Sequence, residues 1–333
     1  MDHIPDRNTP LLPPIEFHPI LKPVIWGGSF MKYFKSLDTY SGGGTIGECW
    51  EISGLEGDES VVAGGEYDGL TISELIAQLG PRLMGKRVYD RFGTRFPILV
   101  KFIDAARDLS VQVHPDDASA KSLGLIGGKN ELWHIIRSQG GAKIYAGFKK
   151  QLTSEEYEQA VESKTILDYI STRTSRSGDT FYLPGGNIHA IGAGNFLMEI
   201  QQTSGITYRV YDYDRKDKSG RKRQLHAEEA RRVVSLDKYD SYIPSPYWHN
   251  SSDQVLLMKD WATVRKHRID GSCRLDFPLD SFTILTCIEG AVSINYPGVH
   301  FELSFGSTCL LAAEITEVTV DGSGIVISAA VSS

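Results

Sequence analysis

Gly178-Asp179-Thr180-Phe181-Tyr182-Leu183-Pro184-Gly185-Gly186-Asn187-Ile188-His189 is the stretch on which the fold turns. Its punctuation is glycine, five residues, proline, one residue, glycine, two residues, histidine. Thr180 to Leu183 has the β-branched and aromatic character of a strand. Pro184-Gly185-Gly186 ends it in a turn, and the returning segment brings His189 inward. A histidine held by such fixed spacing is far more specific than an isolated one.

Working outward, Phe96–Ile103, Leu132–Ile136 and Ser281–Thr286 are further short apolar runs bounded by turn residues. They read as strands of a sandwich or barrel. Helices are fewer and carry local start signals. Thr71-Ile72-Ser73-Glu74 has capping-box spacing and opens a helix stopped by Gly80-Pro81. Thr153-Ser154-Glu155-Glu156 opens a second, expected to run to about Ile170. His226 to Leu236 reads as a third, with Ala227, Ala230, Val233 and Val234 on one side. Prolines at 5, 10, 13, 14, 19 and 23 make the opening segment extended and unfit for a central strand. A composition shift leading to Pro244-Ser245-Pro246 places a domain boundary at about 240. The expected domains are therefore 1–240, with helical insertions, and 241–333.

The composition narrows the class of protein. In 333 residues, 35 Lys and Arg face 42 Asp and Glu, a net charge of −7. An apolar fraction of 41% can build cores and excludes wholesale disorder. No apolar run reaches the roughly 20 residues of a membrane helix. Met1-Asp2-His3-Ile4-Pro5-Asp6 lacks the pattern of a signal peptide. Cys49, Cys273, Cys287 and Cys309 are widely separated, which argues against a zinc ribbon or disulfide framework and suits a reducing cytosol. The expectation is a soluble cytoplasmic protein without a membrane or nucleic-acid partner.

Three segments carry metal chemistry. In Leu109-Ser110-Val111-Gln112-Val113-His114-Pro115, strand alternation puts Gln112 and His114 on one face and Val111 and Val113 on the other. In Lys129-Asn130-Glu131-Leu132-Trp133-His134, Glu131 shares a face with Trp133 and Ile135. His134 then points away with Leu132 and Ile136, and reads as a packed histidine. Lys129 can share the face of Glu131. With His189, these give Gln112, His114, Glu131 and His189, two imidazole nitrogens and two oxygens. That mixed set suits zinc or another first-row divalent ion. The bland alternative is a buried polar cluster joined by hydrogen bonds.

The spacing around His189 resembles the second sequence motif of the cupins, with Ala193 in place of the customary closing asparagine. In order along residues 15–240, Ile25-Trp26-Gly27-Gly28, Gly47-Glu48-Cys49-Trp50-Glu51, Pro97-Ile98-Leu99-Val100-Lys101, Gln112-Val113-His114-Pro115, Lys129-Asn130-Glu131, Gly185-Gly186-Asn187-Ile188-His189-Ala190 and Thr207-Tyr208-Arg209-Val210-Tyr211-Asp212-Tyr213-Asp214-Arg215 resemble the type I mannose-6-phosphate isomerases of the short bacterial branch. The resemblance implies a mainly β fold of tandem cupin (jelly-roll) barrels. It implies a zinc enzyme, one Zn2+ per chain, interconverting mannose 6-phosphate and fructose 6-phosphate, with Gln112, His114, Glu131 and His189 holding the metal. Carried over by position, the pocket includes Glu48, Lys101, Lys129 and Arg209. Arg209, Lys129 and Glu48 would act in catalysis, and Lys101, Lys129 and Arg209 would bind substrate. A base and a stabiliser of oxyanion charge are what a cis-enediol route needs. A lysine crowded by cations could shuttle the proton. The family pattern has an aspartate four residues before the arginine, where Gly205 stands, and in the long branch a tyrosine where Ile191 stands.

Residues 241–333 resemble a second, degenerate cupin. Gly306-Ser307-Thr308-Cys309-Leu310-Leu311-Ala312 repeats the glycine-to-strand spacing with Ala312 at the proline position and no histidine after it. A structural role without metal is expected, and His300 reads as a surface residue. Arg215-Lys216-Asp217-Lys218-Ser219-Gly220-Arg221-Lys222-Arg223 carries six positive charges in nine residues. Without interleaved aromatics, and in an acidic chain, it reads as a solvated loop or a basic rim attracting sugar phosphates. Besides the isomerase, a catalytically weak sugar-phosphate-binding cupin, an isomerase of another sugar phosphate and a metal-dependent cupin oxygenase remain open. So does the choice between monomer and homodimer.

Overall fold

The computed structural model describes residues 10–37, 44–216, 220–243 and 252–332. Pro244-Ser245-Pro246, Pro5 and Asp217 to Ser219 of the basic run lie outside them. The chain forms two compact units, each assembled from separated segments.

One unit is Pro19–Asp58 with Pro97–Pro246. Its larger sheet has seven strands, in the order Ile20–Gly28, Ile46–Ile52, Ile98–Ala105, Asn195–Gln202, Glu131–Ser138, Thr180–Leu183 and Tyr242–Ile243. A second sheet orders Tyr208–Tyr211, Val111–Val113, His189–Ile191, Lys143–Phe148 and Ile170–Thr174. Every pairing within these two sheets is antiparallel. Alternation then sorts the side chains by face. Trp133, Ile135, Ile103 and Leu197 from the large sheet pack with Ile144, Ala146 and Ile191 from the smaller one, forming the interior.

The outer faces are covered separately. Behind the small sheet, Val111, Val113, Ile188, Ala190 and Val210 pack with Tyr157 and Ala160 of one helix and Ala230 and Val233 of another. Behind the large sheet, Phe34 of the helix Phe30–Phe34 stands 4.6 Å from Phe102 and 4.7 Å from Phe196 between ring centroids. Each such fully buried ring contributes about 1.5–3 kcal/mol relative to exposure.

The other unit joins Met1–His18, Glu59–Phe96 and Tyr247–Ser333. Its sheet orders Asp253–Lys259, Ala262–Asp276, Glu317–Ala330, Thr283–Tyr296 and Val299–Leu303, with Thr308–Leu311 on Thr283–Tyr296. A single cut at about 240 would give residues 59–96 to the first domain, but they pack with the C-terminal strands. The Phe96 ring lies 4.5 Å from that of Phe282, and the Ala313 amide donates to the Leu83 carbonyl. The short helices need an apolar partner, and this sheet supplies it.

Local signals place helix starts well and ends less well. The helix Ile72–Leu79 has the expected capping box, with the Glu74 amide donating to Thr71 Oγ1 and the Thr71 amide to Glu74 Oε2. The helix from Thr153 also has its box but ends at Glu162 rather than near Ile170. Lys164 takes a positive φ of 61°, and Ile170–Thr174 joins the edge of the smaller sheet. The third helix is Ala227–Val233. It stops short of Leu236 because the Ser235 amide turns to the Gly186 carbonyl. Replacing Thr71 by alanine is expected to cost about 1 kcal/mol, seen as a lower urea midpoint. An unchanged midpoint would show that the cap carries no stability.

Candidate metal centre and adjoining cavity

Cross-strand register gathers the predicted residues. His189 pairs directly with Gln112, and Gln112 in turn with Arg209, so the three side chains share the inner face of the smaller sheet. In the larger sheet Glu131 pairs with Gln201, Trp133 with Glu199, and Glu199 with Lys101, while Trp50 also pairs with Lys101. Glu48 lies one row further along, opposite Ile103.

The turn before His189 is as tight as its sequence suggests. The Asn187 amide donates to the Pro184 carbonyl and the Gly186 amide to the His114 carbonyl. A Cβ on Gly185 would lie 2.4 Å from the backbone of Asp116, and Gly186 has a φ of 85°. Only glycine fits the first position, and the second is a conformation that side chains disfavour. The turn therefore ties the two histidine-bearing segments together by backbone contact.

His114, Glu131 and His189 are each 1% exposed, and their donor atoms lie within 4.8 Å of one another. His114 Nδ1 is 2.7 Å from the Ile206 carbonyl and His189 Nδ1 is 2.8 Å from the Asn187 carbonyl. A carbonyl only accepts, so each ring keeps its proton on Nδ1 and presents the Nε2 lone pair inward. Those two Nε2 atoms stand 3.2 Å apart. Two lone pairs at that distance repel unless a cation or a proton lies between them. Burial holds the His114 imidazole well below its ordinary pKa, helped by the charge of Lys129 and by His189. Burial also lowers that of His189, against the pull of Glu131 and the Asn187 carbonyl. A proton is thus disfavoured, which leaves a metal cation as the fitting partner.

The carboxylate completes the set. Glu131 Oε1 is 3.3 Å from His114 Nε2, and Oε2 is 3.6 Å from His189 Nε2. Burial would raise the Glu131 carboxyl, but Lys129, His189 and Lys101 hold it below the usual range. Its Oε2 is buried without a hydrogen-bond partner among the described residues, a cost that coordination would remove. Two imidazoles, one carboxylate and a nearby amide with no thiolate suit zinc or a similar divalent ion.

A cavity of about 150 Å³ adjoins this cluster, with Glu48, Lys101, Gln112, Lys129, Glu199 and Arg209 in its lining. Lys129 touches Glu131 and stands 3.4 Å from His114 Nε2. Lys101 Nζ lies 3.0 Å from Glu199 and 3.6 Å from Glu48, which accepts from the Trp50 indole at 2.7 Å. Burial pulls Lys101 down, yet Glu199, Glu48 and Glu131 hold it above its ordinary value. Lys101 is therefore a fixed cation, and the idea that cationic crowding frees it to shuttle protons does not hold for this lysine. Arg209 donates from Nη1 to the Gln224 carbonyl at 2.9 Å and from Nε to Ser110 Oγ at 3.3 Å.

His134 packs away from the cluster, bonded to Thr180 Oγ1 at 2.9 Å, as alternation requires. His300 is exposed and pairs with Glu302 at 3.0 Å. Among the described residues of the basic run, Arg215, Lys222 and Arg223 are paired with acids. Asp212 holds Arg215 and Arg223 together, Asp214 holds Lys222, and Arg223 reaches the cavity lining. Sequence reading missed Glu199, 3% exposed, whose carboxyl is raised by burial and by Glu131 against Lys101 and Lys129. A lone acid in the apolar run Phe196-Leu197-Met198-Glu199-Ile200 was the available signal.

Residues 15–131 match the family described as phosphomannose isomerase type I, catalytic domain, and residues 254–331 match the mannose-6-phosphate isomerase cupin domain. The chain is 36% identical to the mannose-6-phosphate isomerase ManA of Bacillus subtilis, over 93% of this chain and 96% of that protein. It is 34% identical to the mannose-6-phosphate isomerase of Streptococcus mutans, over 90% of this chain and 92% of that protein. The crystal structure of a mannose 6-phosphate isomerase from Bacillus subtilis superposes with a TM-score of 0.85 at 30% identity, covering 96% of this chain and 99% of that one.

If the two imidazoles converge on a metal, His189→Ala abolishes stoichiometric metal binding and leaves the circular dichroism spectrum unchanged. Full metal content in that variant would remove His189 from the centre.

Proposed function

The chain belongs to the type I phosphomannose isomerase family, and on that premise we propose that it interconverts mannose 6-phosphate and fructose 6-phosphate with zinc held by Gln112, His114, Glu131 and His189. The observation that carries the reading is the pair of inward Nε2 lone pairs and the buried Glu131 carboxylate, set against a cavity lined by both cations and carboxylates. When bound, a divalent ion supplies positive charge to the sugar oxygens.

The remaining work falls to the chain's own residues. Isomerisation takes the proton from C2 of the aldose and returns one to C1, while a hydroxyl proton passes between O1 and O2. In this reading Glu48, anchored by Trp50 and Lys101, takes the carbon-bound proton. Lys129, which touches Glu131 and lines the cavity, exchanges protons with the sugar oxygens in this reading. Lys101 and Arg209 hold fixed positive charge where enediolate oxygens and the dianionic phosphate would lie. Gly205 has no carboxylate to offer, and a Cβ there would stand 3.2 Å from Leu55 Cδ2. Proton transfer in this chain is accordingly assigned to the cavity residues.

A second reading, a protein that binds sugar phosphates without turning them over, draws on Gly205 alone. Assaying mannose 6-phosphate isomerisation after chelation, and again after one equivalent of zinc, separates the two. Turnover lost on chelation and restored by zinc is expected. One bound zinc per chain without turnover would point instead to a different sugar phosphate or to a binding role. Arg209→Ala is expected to lower kcat by about 10²-fold or more with zinc content intact. Unchanged kinetics would take Arg209 out of the mechanism.

A further inference from the structure

The C-terminal sheet brings an acid, a histidine and a serine into line, and isomerisation uses none of them. Asp253, His267 and Ser328 lie on three strands adjacent in the sheet, Asp253–Lys259, Ala262–Asp276 and Glu317–Ala330. Asp253 is directly opposite His267, and His267 is opposite Val326, so Ser328 is the next residue along on the same face. His267 Nε2 is 2.8 Å from Ser328 Oγ, and His267 Nδ1 is 3.2 Å from Asp253 Oδ1. His267 and Ser328 are 4% and 6% exposed, on rigid strands rather than loops. All three line a cavity of about 480 Å³, within the size range of small-molecule sites.

We propose that Ser328, His267 and Asp253 form a nucleophilic triad that hydrolyses short carboxylic esters. Asp253 Oδ1 stands within ion-pair distance of His267 Nδ1 but off hydrogen-bond alignment. A small turn of the ring closes that bond, which holds the ring proton on Nδ1 and leaves the Nε2 lone pair on the serine hydroxyl. Ser328 Oγ bonds to the ester carbonyl carbon and its proton passes to His267 Nε2. The carbon–alkoxy bond then breaks, and the departing alcohol takes that proton. Water repeats the sequence on the acyl carbon, releasing the carboxylic acid and restoring Ser328. The sum is ester plus water to acid plus alcohol, with no oxidant or reductant. Positive charge for the carbonyl oxygen comes from Arg265, directly opposite Ser328 in the ladder and anchored by Asp253. The Thr283 hydroxyl, buried without a hydrogen-bond partner among the described residues, lines the same cavity and supplies a donor. Met258, Leu275 and Phe277 give it an apolar wall suited to a short acyl chain.

The test uses the full-length, metal-loaded protein with p-nitrophenyl acetate and butyrate, and a fluorophosphonate probe with the modified residue mapped by mass spectrometry. Labelling at Ser328 is expected, together with ester hydrolysis that falls at least about 100-fold in kcat/KM in Ser328→Ala and in His267→Ala. Mannose 6-phosphate isomerisation should be unchanged in both variants, which also reports that they fold. A label elsewhere on the wild-type protein, or hydrolysis that persists in Ser328→Ala, would overturn the assignment. The labelling result stands even if a variant fails to fold.

Discussion

Two backbone carbonyls, those of Ile206 and Asn187, set the chemistry of the metal centre. Each takes the Nδ1 proton of one histidine and so turns the other nitrogen inward as a lone pair. The rings cannot relieve their 3.2 Å opposition by rotating, because Trp133 stands edge-on to His189 and the turn at Gly185 and Gly186 fixes the strand that carries it. Burial disfavours a shared proton, and Glu131 adds a carboxylate oxygen without a hydrogen-bond partner among the described residues. The cluster is costly as a set of hydrogen bonds and well matched to a divalent cation.

The rest of the barrel serves that constraint. The smaller sheet brings Gln112, His189 and Arg209 into one row, and the larger one brings Glu131, Glu199 and Lys101 into adjacent rows. Helices behind the smaller sheet and the Phe34 cluster behind the larger one bury the outer faces, so the inner faces are free to carry charge. Lys101 and Lys129 then compensate Glu131 and Glu199 inside a space where unpaired charge would be expensive.

What the sequence made legible follows from period two. Alternation alone put Glu131 and His134 on opposite faces, and put Val111 and Val113 on the face opposite Gln112, and all of these hold. The Pro-Gly-Gly turn announced His189 because its punctuation is contiguous in the chain, although the backbone that crowds Gly185 is that of Asp116. Features that depend on register between distant strands were not legible. Glu199 faces Lys101 across a ladder between residues far apart in the chain, and the alignment of Ser328 with the hairpin that carries Asp253 and His267 depends on another. The discontinuous second unit escaped for the same reason, since nothing local says that Phe96 will meet Phe282. The overlong second helix escaped because edge pairing at Ile170 competes with helical propensity.

Whether two imidazoles and oxygen donors hold one divalent ion is read directly by X-ray absorption at the metal edge of the protein as purified. One zinc per chain is expected, with two imidazole scatterers, oxygen neighbours and no sulfur, and loss of one imidazole in His114→Ala. A sulfur shell, or a spectrum unchanged by that substitution, would contradict that ligand set.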